Sequence, residues 1–270
     1  MAFLEVARAS GITAWKSSNS FAEAERAIAH YLAALALSDH AALKQMRHPV
    51  WSRRKLNGGG DTLHFAGNAV PIANAHEPLD WSDGVWLTSL QVFRDGLAVA
   101  RFDDWDHDKA AIMLLYHVGR KWRIASEISV TAEHGDNKAA MSFETPERKI
   151  LQTLARFYDA IEKRSASELH ALSDENWHVK HPGSDDNLVA EDMAGFIRRI
   201  GTTPPRLYRD NCRVADVQIL HNRLACVRID TPRLAETTIF LLCRRGPDWV
   251  IAEKASSGKV PEAMPHRMAM

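Results

Sequence analysis

The chain has 270 residues, of which 46% are hydrophobic and 25% are charged, and its 34 basic and 34 acidic side chains cancel to zero net charge. This composition is typical of a globular protein with enough length for two domains, and it argues against disorder and against a coiled coil. The balanced charge argues against nucleic-acid binding, because no excess of positive charge is available to meet a phosphate backbone.

The first predicted element is a long helix. Ser20 and Glu23 have the spacing of a capping box, and an apolar stripe at helical period follows with Ala24, Ile28, Tyr31 and Leu35. Asp39 is expected to start a short second helix that ends at Met46. Strands are then predicted at 50–55 and 62–65 around a glycine-rich turn at 57–61, followed by a helical piece at 68–75 and by a meander of strands at 85–93, 97–103, 111–118 and 121–129.

The second half of the chain repeats the first. A shift of 127 places residues 97–103 (Leu-Ala-Val-Ala-Arg-Phe-Asp) on residues 224–230 (Leu-Ala-Cys-Val-Arg-Ile-Asp), with four of seven positions identical. The same shift places Trp122 on Trp249 and Tyr31 on Tyr158. We therefore predict a first domain at 1–130, a linker at 131–146, a second domain at 147–257 and a tail at 258–270. The second domain should contain a helix after Thr145-Pro146, a short helix at 167–172, and strands at 210–219, 224–230, 238–244 and 249–254.

Three features together carry a family resemblance. They are a long helix with Tyr31-x-x-Ala34, an Asp-led second helix, and a meander that ends in Gly-x-x-Trp-x-Ile at residues 119–124 and again at 246–251. This pattern resembles the nuclear-transport-factor-2-like (NTF2-like, SnoaL-like) superfamily, which includes polyketide cyclases, ketosteroid isomerase and scytalone dehydratase. The resemblance implies an α+β fold of two tandem cone-shaped domains, each a curved and mostly antiparallel sheet wrapped around its N-terminal helix. It also implies a mostly apolar pocket, and pairing of the two copies through their sheets as an intrachain pseudo-dimer.

The resemblance to ketosteroid isomerase implies candidate catalytic residues. Tyr31 and Tyr158 match the tyrosine of its oxyanion hole, where a phenol donates a hydrogen bond to an enolate-like oxygen. The position of its carboxylate base falls near Lys55 in the first copy, which departs from the pattern, and near His181-Pro182 in the second. The alternative for each tyrosine is a core residue whose hydroxyl is satisfied within the protein.

Other candidates for proton transfer come from the residues themselves. His48 follows the second helix, and His117 is predicted to share a strand face with Met113 and Leu115, as in the lining of a pocket. Asp103 could be a base that Arg101 keeps ionised, although the recurrence of this Arg-x-Asp spacing at 228–230 favours a structural ion pair in each copy. A strand-end histidine that faces water is the alternative for His117.

Tryptophan is abundant, with eight residues in the chain, six of which precede residue 130. Flat indole rings enclose aromatic ligands well, and a loop carboxylate beside a tryptophan suits substrate positioning. The predicted substrate-binding residues are Trp51, Asp80, Trp81, Trp86 and Trp122.

The function expected from these features is acid/base chemistry without a metal or an organic cofactor. No phosphate loop, nucleophile elbow, zinc-protease motif or dinucleotide fingerprint occurs, and the three cysteines have no Cys-x-x-Cys spacing. We therefore expect a cytoplasmic lyase, dehydratase or isomerase that acts on a hydrophobic, aromatic small molecule, with no nucleic-acid or membrane partner and with room for further homo-oligomerisation. The alternative is a non-catalytic module that binds a small molecule or another protein.

Overall fold

A computed structural model describes residues 18–56, 63–67, 85–93, 96–132, 144–183, 187–202 and 212–258. The first domain contains α1 (Ser18–Ala36), α2 (His40–Met46), β1 (Arg47–Leu56), β2 (Leu63–Gly67), β3 (Val85–Val92), β4 (Leu97–Asp104), β5 (Lys109–Val118) and β6 (Lys121–Thr131). The second domain contains α3 (Pro146–Glu162), α4 (Ala166–Leu172), β7 (Ser173–Pro182), β8 (Leu188–Asp192), α5 (Met193–Thr202), β9 (Arg213–Leu220), β10 (Leu224–Thr231), β11 (Glu236–Arg245) and β12 (Asp248–Ser256). The predicted turn at 57–61 and helical piece at 68–75 lie outside the described residues. Among the helices described, none is long and apolar enough to cross a membrane.

Each domain is built on one six-stranded sheet. The strand order is β2-β1-β6-β5-β4-β3 in the first sheet and β8-β7-β12-β11-β10-β9 in the second, so the two topologies are the same. Neighbouring strands are antiparallel except for the parallel pairs β1/β6 and β7/β12. The predicted α+β fold class with two tandem copies is confirmed.

Some element boundaries differ from those predicted. Helix α1 begins at Ser18, so Ser20 lies inside the helix rather than at its cap. Helix α4 is capped by Ser165, whose hydroxyl accepts a hydrogen bond from the Glu168 amide, and not by Ser167. No element was predicted where β7, β8 and α5 lie. In β7, buried polar side chains such as Asp174 and Lys180 interrupt the apolar alternation that indicates a strand.

The two faces of the first sheet have different partners. We call the side that packs on the domain's own long helix the helix face, and the side that packs on the other sheet the shared face. Along β4, Ala98, Ala100 and Phe102 join the helix-face core with α1, whereas Leu97 and Val99 lie on the shared face. Successive strand residues point to opposite sides, which produces this division.

The shared face forms one hydrophobic cluster from both sheets. Ile112 and Leu114 of β5 belong to it together with Ile239 and Leu241 of β11. The Tyr116 hydroxyl, on the same side of β5, lies 3.0 Å from the Lys180 carbonyl and 3.2 Å from the Ser256 carbonyl of the second domain. The backs of the two sheets therefore pack together, and each helix face lies on the outer side of its own sheet.

Candidate functional site

A polar cluster, with a buried tyrosine and carboxylate and two partly buried arginines, lies on the helix face of the first domain. The hydroxyl of Tyr31, which has no exposed surface, donates to Glu127 Oε2 at 2.9 Å and accepts from Arg47 Nε at 3.1 Å and Nη2 at 2.9 Å. Arg53 Nε is 3.1 Å from the second carboxylate oxygen of Glu127. We call Tyr31, Arg47, Arg53 and Glu127 the Tyr31 cluster.

Secondary structure fixes the geometry of the Tyr31 cluster. Strands β1 and β6 are parallel neighbours, and their register places Arg53 beside Glu127 on the same face of the sheet. Glu127 is also opposite Met113 of β5, a member of the helix-face core. Arg47 is the first residue of β1, directly after α2, and Tyr31 reaches the sheet from the buried stripe of α1.

The charges around Tyr31 determine its protonation state. Burial, and to a lesser degree the negative charge of Glu127, raise the pKa of Tyr31 well above its usual value, and Arg47 only partly opposes this rise. The phenol therefore keeps its proton at neutral pH and donates a hydrogen bond to the Glu127 carboxylate. With two guanidinium groups and one carboxylate, the Tyr31 cluster carries a net charge of +1.

Two of the predicted substrate-binding tryptophans lie in this core. The Arg47 guanidinium carbon is 4.0 Å from the centre of the Trp51 ring and 5.5 Å from the centre of the Tyr31 ring, which are cation–π distances. Trp122 belongs to the same helix-face core, and His117 packs edge-on against it with ring centres 5.4 Å apart. Glu127 pairs with Met113 of β5, and His117 lies four residues further along this strand, which is roughly 13 Å by strand geometry. His117 therefore does not join the Tyr31 cluster.

Other predicted site residues of the first domain lie away from this core. His48 is directed to the second domain, where its Nε2 lies 3.2 Å from Asn187 Oδ1. Asp103 receives two hydrogen bonds of 3.0 Å from Arg101, which is the structural ion pair considered above. Trp86 is 51% exposed and pairs with Asp103 across β3 and β4, on the side away from the helix-face core. Asp80 and Trp81 lie outside the described residues.

The second domain does not repeat the Tyr31 cluster. The helix caps Asp39 and Ser165 are 126 residues apart, as are the starts of the strands β1 and β7 that follow. In this part of the fold the equivalent of Tyr31 is therefore Phe157, and the predicted equivalence with Tyr158 is wrong by one residue. Arg47, Arg53 and Glu127 are replaced by Ser173, Val179 and Lys254, the last two of which pair between β7 and β12 as Arg53 and Glu127 do between β1 and β6.

Aromatic rings fill the equivalent region of the second domain. Phe157 lies 6.1 Å from Phe196, 6.3 Å from Trp177 and 5.7 Å from Phe240, measured between ring centres. Tyr158 packs on the same Phe240 at 5.9 Å. These distances are typical of a packed aromatic core, and this packing stabilises the second helix face.

The predicted base of the second domain, His181, lies beyond this aromatic core. Its Nδ1 is 3.2 Å from the Pro182 carbonyl, and burial lowers the pKa of its imidazole. Along β7, His181 is two residues from the core residue Val179, and Lys180 between them contacts the first domain. His178 shares the face of Lys180, since it lies 3.4 Å from Ser52 of the first domain, and so the two histidines are on opposite faces of the strand.

Sequence reasoning identified Tyr31 but missed its three partners. The available signal was Glu127 itself, the one charged residue within Ile-Ala-Ser-Glu-Ile-Ser-Val at 124–130. A lone carboxylate in an apolar strand must find a partner when it is buried. Arg47 and Arg53 gave no such signal, because they belong to a basic stretch that equally suits a solvated strand.

No family model matches the sequence, and no curated protein matches it significantly. Several solved structures are similar to this chain. An NTF2-like protein of unknown function from Shewanella baltica OS155 is 18% identical, with 41% of this chain and 90% of that chain covered and a TM-score of 0.36. An NTF2-like protein of unknown function from Methylobacillus flagellatus KT is 19% identical, with coverage of 44% and 98% and a TM-score of 0.32.

A ketosteroid isomerase-like protein from Erwinia carotovora atroseptica SCRI1043 is 11% identical, with 40% of this chain and 92% of that chain covered and a TM-score of 0.29. Each of these three matches covers 40% to 44% of this chain, which is about the length of one domain.

Proposed function

We propose that the first domain is a cofactor-free acid/base catalyst, a lyase, dehydratase or isomerase, that acts on a hydrophobic small molecule at the Tyr31 cluster. The observation that carries the proposal is the hydrogen bond of 2.9 Å from the Tyr31 hydroxyl to the Glu127 carboxylate, buried beside the Arg47 guanidinium. Proton transfer needs a donor and an acceptor in contact and a cation where negative charge develops.

Tyr31 and Glu127 can pass one proton between them. One of the two Arg47 hydrogen bonds to the phenol oxygen breaks, and this oxygen takes a proton from a carbon next to a substrate carbonyl while its own hydrogen moves to Glu127. The electron pair of the broken C–H bond forms a C=C bond, and the π pair of the carbonyl moves to its oxygen. Arg47 would stabilise the resulting enolate. Return of the proton from Glu127 through Tyr31 to another carbon gives isomerisation, and its delivery to a hydroxyl group that leaves the neighbouring carbon as water gives dehydration.

The surroundings of the Tyr31 cluster suit an apolar substrate. Phe102, Met113, Trp51 and Trp122 all belong to the core that encloses it, and each is at most 7% exposed. Apolar walls exclude water and strengthen the electrostatic interactions between the polar groups inside.

Deuterium exchange tests this proposal without knowledge of the natural substrate. Phenylacetone and β-tetralone, incubated with the protein in D₂O, should gain deuterium next to the carbonyl faster than in buffer. Glu127→Gln should slow the catalysed exchange by about 100-fold or more, because an amide does not accept the proton. The matched variant Tyr158→Phe in the second domain should leave the rate within a factor of two. Exchange no faster than in buffer, or unchanged by Glu127→Gln, would contradict the proposal.

A non-catalytic binding module is the second candidate. It is favoured by the saturation of the Tyr31 oxygen, which already donates one hydrogen bond and accepts two from Arg47. For such a module, ligands would bind on the helix face of the first domain while both ketones stayed unexchanged.

A further inference from the structure

Within the described part of the first domain, only some of the hydrogen-bond donors of Arg47 are used. Nε and Nη2 both donate to Tyr31, which occupies one edge of the planar guanidinium. Among the described residues, no group bonds Nη1. The edge formed by Nη1 and the second hydrogen of Nη2 has the fork geometry that binds both oxygens of a carboxylate.

Two further donors are buried in the same core. Within the described part of the chain, the indole nitrogens of Trp51 and Trp122 have no hydrogen-bond partner, although both side chains are buried. A buried donor without an acceptor needs an explanation, and a ligand oxygen is one. Trp177, the counterpart of Trp51 in the second domain, has the same unpartnered nitrogen, so the tryptophans alone do not define a site. Arg47 makes the difference, because the second domain has Ser173 in its place.

The charge balance indicates the sign of the ligand. Glu127 is already paired with Arg53 and hydrogen-bonded to Tyr31, so the second guanidinium of the Tyr31 cluster, that of Arg47, has no carboxylate of its own among the described residues. The Arg47 guanidinium carbon also lies over the Trp51 ring, 4.0 Å from its centre, and this cation–π contact restrains the side chain. An acceptor ligand with one negative charge would neutralise the net charge of +1.

We infer that the first domain binds a small carboxylate with a flat apolar body, held by the free edge of the Arg47 guanidinium and enclosed by the tryptophans. This inference rests on the proposed function, which places the site at the Tyr31 cluster, and it adds the chemical class of the substrate. The local charge of the site, +1, thus differs from the zero net charge of the whole chain.

Isothermal titration calorimetry with benzoate and benzamide tests the inference, because the two probes share a shape and differ in charge. Benzoate should bind at least 10-fold more tightly than benzamide. Arg47→Met should weaken benzoate binding by about 30-fold or more, and Arg47→Lys, which keeps the charge but loses the fork, by a smaller factor. Arg156→Met, which removes the same charge from an exposed position on α3, should leave the affinity unchanged.

Two results would overturn the inference. One is benzoate binding no tighter than benzamide, and the other is benzoate binding that neither Arg47 variant weakens. If Arg47→Met fails to fold, Arg47→Lys alone decides. Arg47-dependent binding without ketone exchange would remove the catalytic proposal and keep the ligand class. Ketone exchange that depends on Glu127, combined with benzoate binding that the Arg47 variants do not weaken, would keep the catalytic proposal and remove the ligand class.

Discussion

The two helix faces of this protein occupy the same place in the same topology and contain opposite chemistry. On the first, a tyrosine from the long helix meets a carboxylate and two guanidinium groups from the sheet. On the second, a phenylalanine at the equivalent helix position meets Trp177, Phe196 and Phe240. After duplication, one copy could thus become an apolar core while the other kept buried polar groups, whose desolvation costs stability.

The largest expected effect on stability follows from the aromatic packing of the second domain. Phe157→Ala should lower the free energy of unfolding by about 3 to 5 kcal/mol, because it opens a cavity among three rings. Urea denaturation followed by circular dichroism measures the loss. A cost of less than about 1 kcal/mol would mean that this face is loosely packed, and the contrast between the two domains would fail.

The next largest effect on stability is expected on the shared face, where the two domains also have different side chains at equivalent positions. Lys180 Nζ lies 3.4 Å from Glu253, and both side chains are fully buried; the Ser126 hydroxyl donates to the same carboxylate. Ser126 and Glu253 occupy equivalent positions in β6 and β12. Glu253→Gln leaves Lys180 without its counter-charge, so we expect a loss of about 3 kcal/mol or more. Ser126→Ala removes only a hydroxyl and should cost about 1 kcal/mol.

Stability should also depend on pH through Glu253. Burial alone would raise the pKa of this carboxyl, but Lys180 and His178 hold it well below its usual value of 4.5. A depressed pKa in the folded state stabilises the protein above the unfolded pKa, and this contribution is lost as the pH falls below about 4.5. Between pH 7 and pH 3, the urea concentration at the denaturation midpoint should therefore decrease towards the acidic end in the wild type. In Glu253→Gln this midpoint should vary less.

Removal of the Tyr31 hydroxyl should have a smaller effect on stability than Phe157→Ala or Glu253→Gln. Tyr31→Phe leaves Arg47 and Glu127 without a shared partner, and an unsatisfied buried group costs about 1 to 3 kcal/mol. Thermal unfolding of Tyr31→Phe beside Tyr158→Phe measures the difference. Equal shifts in the two variants would indicate that both tyrosines are ordinary core residues.

The sequence predicted most of the fold because its signals were local. Tight turns and alternating apolar residues located β3 to β6 and β9 to β12 to within a few residues, and Asp39 was correctly expected to begin α2, where its side chain accepts from the Ala42 amide. The exceptions were β7, β8 and α5. In β7, the buried Lys180 contacts Ser52 and Ser126 of the first domain besides Glu253 of β12, and the buried Asp174 pairs with Arg54 of the first domain and with Arg245 of β11. Partners from another domain leave no mark in the local sequence.

The candidate site was only half predictable, for a related reason. One offset of 127 fits the meander strands, where the identical residues lie, but the helices and first strands of the two copies differ by 126. Tyr158 therefore matched Tyr31 by coincidence, and the absence of a hydroxyl at the true equivalent, Phe157, stayed hidden. Glu127 and Arg53 meet because β6 lies parallel to β1, a pairing that joins distant parts of the chain.

The most direct test of the central claim, that the ligand site belongs to the first domain alone, is a crystal soaked with 4-iodobenzoate. The anomalous signal of iodine locates the ring, and difference density locates the carboxylate. We expect the carboxylate on the free edge of Arg47 and the ring on the helix face of the first domain. Iodine found only in the second domain beside Lys254, or at neither helix face, would contradict it.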